Sequence, residues 1–583
     1  LNIILASEID RSSGFTGGGF GVGVFSTITT NGGDVWIGGG ELTGSWNGHT
    51  VGVGAAMGGG GANGVGVEIS NSTILTAGGD VRILGTSNGL PGINAYQGNS
   101  TINAGAGNIE LISDRMGFDF SGSQGDIQID GTGTLTIAPL ESSFANAVTW
   151  DATESGGYYT STGGGNTIDG LKIKNTLGLT IGKPGNSAPL TIASDIVLNG
   201  PISFESGSFT INPSVDLETT APGADIRVKV NNYADGPGPT DGWINIYGDN
   251  ITTNGGDIVL WSNADNLSTG AADNQIYLDG GNTLRSNGGK IVLAGGLDDG
   301  GASSGLAGLT AGDGIPDGFA YRGELNSSAI IINDNVSLLS GDGDVIIRGQ
   351  SGGTPPNVFP RSFGVWADAG FKLDAGTGTI NIRGKSESES AIWLGPLSAG
   401  TSSIAITSAS TAANAITIHG ESTSTTGGHG LIANWDGSTG SHLLIESSAT
   451  SGGGVSITGI TSVANHGIIL GQTGADESIQ ILSHAGDVSL ISNKGLLIGN
   501  DAFLGNRKDG NAVNGITPSV QSSSADILIR ANSLDVGVGR AIDVSAAGEL
   551  TIEPYDNSFS SAYSTSGLTL GSALTGLTIG KST

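Results

Sequence analysis

"TTNGGDVWIGGG", residues 29–40, returns in kind as "TTNGGDIVLW" at residues 252–261. Both copies run a turn of small residues into a stretch where apolar and variable residues alternate. Alternation rich in Val, Ile and Thr is the pattern of a strand with one buried face. Val35 and Ile37 are predicted to point inward and Trp36 outward; in the second copy Ile258 and Leu260 point in, Val259 and Trp261 out. The glycines supply the turn, because glycine alone takes positive φ without steric cost.

Weaker copies fill the chain: "TAGGDVRILG" (76–85), "SNGGKIVLAGG" (286–296), "GDGDVIIRG" (341–349), "GTGTINIRG" (376–384) and "HAGDVSLIS" (484–492). A second strand type lies between them, as in "GVGVEIS" (64–70), "SFGVWAD" (362–368) and "HGIILGQ" (466–472). A third, "STILTAGG" or "NTLRSNGG", leads into the main phrase. Several short strands per unit, joined by turns, describe a coil. The spacing varies, 33 residues from Asp257 to Lys290 and 35 from Asp344 to Thr379. Propeller blades and helical repeats hold a tighter period, whereas stacked parallel strands tolerate loops of any length. No 3.6-residue period is sustained. The expected fold is all-β, a right-handed parallel β-helix with irregular loop insertions and little or no helix, continuous over 1–583.

Composition agrees with a solenoid. Of 583 residues 105 are glycine and only 13% are charged, yet 37% are hydrophobic, which argues against disorder. Acidic residues number 53 and basic residues 22, for a net charge of −31. Phosphate binding needs clustered Lys and Arg, so neither nucleic acid nor an anionic membrane is an expected partner. There is no cysteine, which removes disulfides, thiolate metal sites and Cys nucleophiles. The N-terminal "LNIILASEIDRSSGFTGGGF" lacks a basic n-region and a long apolar core, and no apolar run approaches the ~18 residues of a membrane span.

A longer repeat overlies the coils. "GTLTIAPLESSF" (133–144) matches "GELTIEPYDNSF" (548–559), and each is followed by "GLTIGK", at 178–183 and 576–581. The chain thus reads as two unequal super-repeat segments, 1–186 and 187–583. The opening "LNIILASEID" is similar to the "LTIASDI" that follows the first "GLTIGK". Read circularly, the chain is either one segment of a longer tandem protein or a subunit whose ends stack head to tail.

"GLTIGKPGNSAPLTIASDIVLNGPISFESGSFTI", with the repeated "TTNGGDI" strands, resembles the large repetitive exoproteins of the filamentous haemagglutinin type, exported by two-partner secretion in Gram-negative bacteria. The resemblance implies a β-helical shaft, secreted or at the cell surface, serving adhesion, aggregation or filament formation. Its partners would be adjoining repeats or copies of itself end to end, and a host-cell or polysaccharide receptor. No counterpart of the family's N-terminal secretion domain is present in the sequence.

Chemistry is sought in the loops. In "LDDGGASSGLAGLTAGDGIPDGFAYRGE" (297–324), "GDGIPDG" resembles Asp-rich calcium loops of extracellular repeat proteins. Closely spaced carboxylates are the oxygen ligands calcium prefers, and Asp298, Asp299, Asp313 and Asp317, with Glu324, would supply them; the alternative is a solvated loop. No cofactor is otherwise required. His419, His429, His442, His466 and His484 cluster in sequence without zinc spacing, though His429 and His466 open equivalent strands. Trp36, Trp261, Trp366 and Trp393 are candidate sugar or partner contacts, with insertion under a loop equally open for Trp366 and Trp393. Polysaccharide lyases and hydrolases also use β-helices. Arg348 and Arg383 hold matching outward positions in "VIIRG" and "INIRG", but no paired carboxylates stand out, and no enzymatic activity is expected.

Overall fold

The computed structural model describes residues 1–7, 19–59, 64–88, 90–95, 98–118, 127–151, 166–168, 171–230, 242–266, 273–323, 328–352, 362–396, 403–425, 427–433, 441–471, 478–499, 501–505, 513, 515–520, 522–537, 540–560 and 567–580. They fall into two compact units, Leu1–Asp235 and Gly236–Thr583. No helix occurs among the described residues, and none is long and apolar enough to cross a membrane.

In the second unit three strands make one coil. From Ile380–Ser386 the chain passes to Ile392–Leu394 and Ser403–Ser408, then returns as Ile416–Ser422 beside its starting point. The return strand is parallel and in register, Ile380↔Ile416 through Ser386↔Ser422. The other two strands stack likewise on Leu431–Ala433 and His442–Ser447. The route repeats from coil to coil, so the unit is a parallel β-helix of three sheets. Within the strands, backbone N–H and C=O groups pair with the coil above or below.

Alternation decides which side chains fill the core. Val345, Ile380, Ile416 and Val455 align along one inward ladder, with Ile347, Ile382, Ile418 and Ile457 along the next. All are essentially inaccessible. At ~4.8 Å between strands, like residues stack directly on like, which is why one phrase can serve coil after coil.

The first unit uses the same device. Its first sheet runs in chain order through Ile3–Ser7, Val35–Gly39, Val81–Thr86, Ile109–Ile112 and Leu135–Ala138, with Ile3, Val35, Val81, Ile109 and Leu135 in one ladder. Shorter strands such as Val67–Ile69 and Thr73–Leu75 form the other two faces.

The opening phrase now reads residue by residue. Its second threonine is buried and bonds twice: Thr253 Oγ1 donates to Gly256 O at 2.5 Å and to Ser286 O, in the next coil, at 3.1 Å. Thr30, Thr76 and Ser286 do the same at their own turns, and Ser340 Oγ donates to Gly343 O. The residue before the first glycine is left-handed where the copy reads Asn31, Ala77 or Asn287, at φ of 55°, 55° and 52°. The first glycine carries positive φ, as the sequence predicts. The second does not: it is glycine because a Cβ on Gly289 would strike Gly256 O, one on Gly343 would strike Gly289 O, and one on Gly378 would strike Gly343 O. The aspartate that follows ties coil to coil, accepting the N–H of its counterpart in the next turn. Asp80 N donates to Asp34 Oδ1 at 2.9 Å, Lys290 N to Asp257 at 2.7 Å and Thr379 N to Asp344 at 2.8 Å. The phrase is a stacking unit.

Candidate functional site

The loop at 297–319 uses its carboxylates on itself. Asp298 accepts the N–H groups of Gly312 and Gly314 at 2.6 and 2.8 Å, and Asp299 those of Gly301 and Ser303 at 3.1 and 2.9 Å. Asp313 accepts from Ile315 N, and Asp317, 2% exposed, from Gly300 N at 2.7 Å. Tight turns leave N–H groups without ladder partners, and Asp side chains satisfy them. Among the described residues no three His, Cys, Asp or Glu groups converge to hold a metal ion. Glu324 lies outside the described residues.

This loop is a cover. Ile315 packs against Val259, Trp261, Val292 and Ala294, and Trp261 Nε1 donates to Gly296 O at 2.8 Å. Trp261 is therefore only 8% exposed. Trp36, 2% exposed, lies against Trp46 and Val51 from the hairpin Gly44–Trp46/His49–Val51. Trp393, also 2% exposed, stacks on Phe363 with ring centroids 5.0 Å apart. The expectation that these outward tryptophans offer free faces to a ligand is corrected for all three. They point away from the coil core, but neighbouring segments fold over them, because burying a large indole is more favourable than hydrating it. Trp366 stays partly exposed, sits on the rung beside Trp393, and donates from Nε1 to Gly395 O at 3.1 Å.

The histidines do not form one site. His429 and His466 are neighbours, His429 Nδ1 lying 2.6 Å from His466 O, while His466 Nε2 meets Asp535 at 2.8 Å and His442 meets Ser478 at 2.9 Å.

Two arrangements were hidden in the sequence. In the first unit Glu68, 2% exposed, accepts Asn94 Nδ2 at 2.8 Å, and Glu68 Oε1 and Asn94 Oδ1 have no partner among the described residues. Burial pushes this carboxyl up to about 7, opposed by the Asn94 bond. "VEI" reads as an exposed glutamate on an ordinary strand, and nothing in it signals the burial.

In the second unit the main phrase aligns Arg348, Arg383, His419 and Thr458 on one outward ladder. Arg348 is 3% exposed, donates from Nη1 to Pro316 O at 3.0 Å, and leaves Nε without a partner. Burial, then the neighbouring Arg383, lowers its guanidinium to about 10, against the attraction of Asp317 and Asp313. Burial also lowers Arg383 and His419, the latter with help from Arg383. Arg383 Nε donates to Asn381 Oδ1 at 3.2 Å. Two residues further along their strands, Lys385 and Glu421 share the next outward ladder, and Lys385 Nζ lies 4.8 Å from the centre of the Phe319 ring. The signal was present: "VIIRG", "INIRG" and "ITIHG" are equivalent strands, so their fourth residues must stack. Recognising His419 as the third member requires pairing strands across coils of unequal length.

Comparison with family models, with curated proteins and with solved structures finds no match to this chain, so its function is argued from its own residues.

Proposed function

We propose that the chain is a structural shaft, part of an extracellular or cell-surface exoprotein of the Gram-negative bacterial type, and that it serves adhesion, aggregation or filament formation rather than catalysis. The observation that carries this reading is the stacking unit itself. Its threonine, second glycine and aspartate each act on the next coil, so the polar side chains of the phrase are committed to rung-to-rung cohesion. Such a scaffold is stiff along its stack and tolerant of loop variation, as solenoids with nearest-neighbour cohesion are. The cover segments over Trp36 and Trp261 keep large apolar faces off the surface of an acidic, glycine-rich chain.

The test is display of the chain on the surface of a non-adherent bacterium, with clumping and attachment to epithelial cells measured against the same strain without it. Increased clumping or attachment is the expected result. The reading fails if display changes neither, and equally if the purified chain depolymerises acidic polysaccharides at a rate abolished by one carboxylate substitution.

A further inference from the structure

We propose that the outward ladder of Arg348, Arg383, His419 and Thr458 is a binding site for an oxyanion group, carboxylate or sulfate, of the kind carried in series along an acidic glycan. The inference goes beyond the shaft reading and does not depend on cellular location.

The argument begins with what stacks on what. Two other outward arginines of this chain are answered by a glutamate on the adjoining rung. Arg82 pairs with Glu110, and Arg530 pairs with Glu553 at 2.5 Å. At Arg348 the adjoining rung carries Arg383, and the one after it carries His419. Like charges held on neighbouring strands repel, and a buried guanidinium loses hydration that one carbonyl does not replace. A chain with 53 acidic and 22 basic residues could readily supply a carboxylate there; no member of the ladder is one, and the attraction of Asp317 and Asp313 reaches Arg348 from the cover loop.

The groups at the site suit an anion. Arg348 is the buried end of the ladder, attracted to Asp317 and Asp313 on the cover loop. Arg383 is the accessible member: Asn381 takes its Nε, which orients the guanidinium and leaves both Nη groups uncommitted among the described residues. A guanidinium edge presents paired donors that match a carboxylate or sulfate. His419 and Thr458 continue the row of donors one and two rungs away. Lys385 flanks them, held over Phe319, and Glu421 is the carboxylate opposite it. Successive rungs ~4.8 Å apart place donors at a regular interval, which suits a polymer with repeating charges better than a single ion. A free inorganic anion shares the same chemistry and is the other possible source of the group.

Isothermal titration of the full chain with sodium sulfate, a galacturonate hexamer, a chondroitin sulfate hexasaccharide and neutral cellohexaose tests the proposal. At least one anionic probe is expected to bind saturably, and cellohexaose is not. Arg383→Gln is expected to weaken that binding roughly ten- to hundredfold, the scale of a charge-assisted pair, and His419→Ala several-fold. Arg227→Gln, in the first unit, leaves it unchanged. Both site variants are checked for an unaltered melting temperature, and His419 provides a second route if the Arg383 variant misfolds. A hexamer at least tenfold tighter than sulfate identifies a glycan, whereas equal affinity identifies a free anion; both support the site. The proposal is overturned if no anion binds saturably, if cellohexaose binds as well, or if both site variants bind like the unaltered chain.

Discussion

The second glycine of the phrase shows how much of this fold is decided by a single missing Cβ. Gly289 lies outside the positive-φ region, yet its Cβ position is taken by Gly256 O of the coil beneath. Gly289→Ala should therefore cost more than about 2 kcal/mol, since backbone cannot yield as a side-chain tip can. Asn287→Ala, two residues earlier at φ 52°, should cost only about 1 kcal/mol, because the chain itself places Ala77 at φ 55° in the equivalent turn. Urea unfolding of the two variants measures the difference, and equal costs would mean that turn conformation, not coil-to-coil contact, selects the glycine. Glu68 gives a second prediction at this scale. Burial pushes its folded carboxyl up to about 7, from an ordinary value near 4.5. A raised folded value means the native state holds the proton more tightly. The associated stability is complete below about pH 4.5 and is lost as pH rises through about 7, a change of up to about 3 kcal/mol. Glu68→Gln should flatten the melting temperature of the first unit between pH 5 and 8, and an undiminished fall would place the titrating group elsewhere.

At the scale of elements, the strands were legible and their covers were not. Val35 and Ile37 alternate with Trp36, and that alone predicts a strand with two inward residues; the ladder Ile3, Val35, Val81 then follows from repetition of the phrase. Trp36 has the same place in the pattern as Val259, and both face outward, but outward in a β-helix does not mean exposed. The hairpin 44–51 closes over the first, and Ile315 from the loop 297–319 closes over the second. Neither segment repeats, so periodicity is blind to where it folds. The same limit hid the Arg348 ladder, whose members become neighbours only when register is counted across loops of different length. The carboxylates of the loop are ambiguous for a related reason: aspartates among glycines suit a metal and also suit turn N–H groups, and Asp298 and Asp299 serve the turns. If the hairpin is a true cover, Trp36→Ala should cost ~3–5 kcal/mol and speed amide exchange across residues 44–51. An exposed binding residue would cost less than about 0.5 kcal/mol, and that outcome would return Trp36 to the list of ligand contacts.

Across the whole molecule the dominant long-range term is the net charge of −31. The inward ladders carry almost no charge, so most of the acidic groups lie outside and repel one another over a Debye length of about 10 Å at 0.1 M salt. Compaction works against that repulsion, and added salt screens it. Raising sodium chloride from 10 to 300 mM should therefore raise the melting temperature by a few degrees, followed by circular dichroism. The local pairs Arg82–Glu110 and Arg530–Glu553 act in the opposite direction, since screening weakens attraction too. They are partly exposed, and such pairs contribute little, typically under about 1 kcal/mol each. A melting temperature that falls with salt would mean that these few contacts outweigh the net repulsion. The same titration separates the global field from the Arg348 ladder: screening should stabilise the fold while weakening oxyanion binding. A common sign for both responses would show that the anion acts by neutralising or screening the chain as a whole, and not by docking on one ladder.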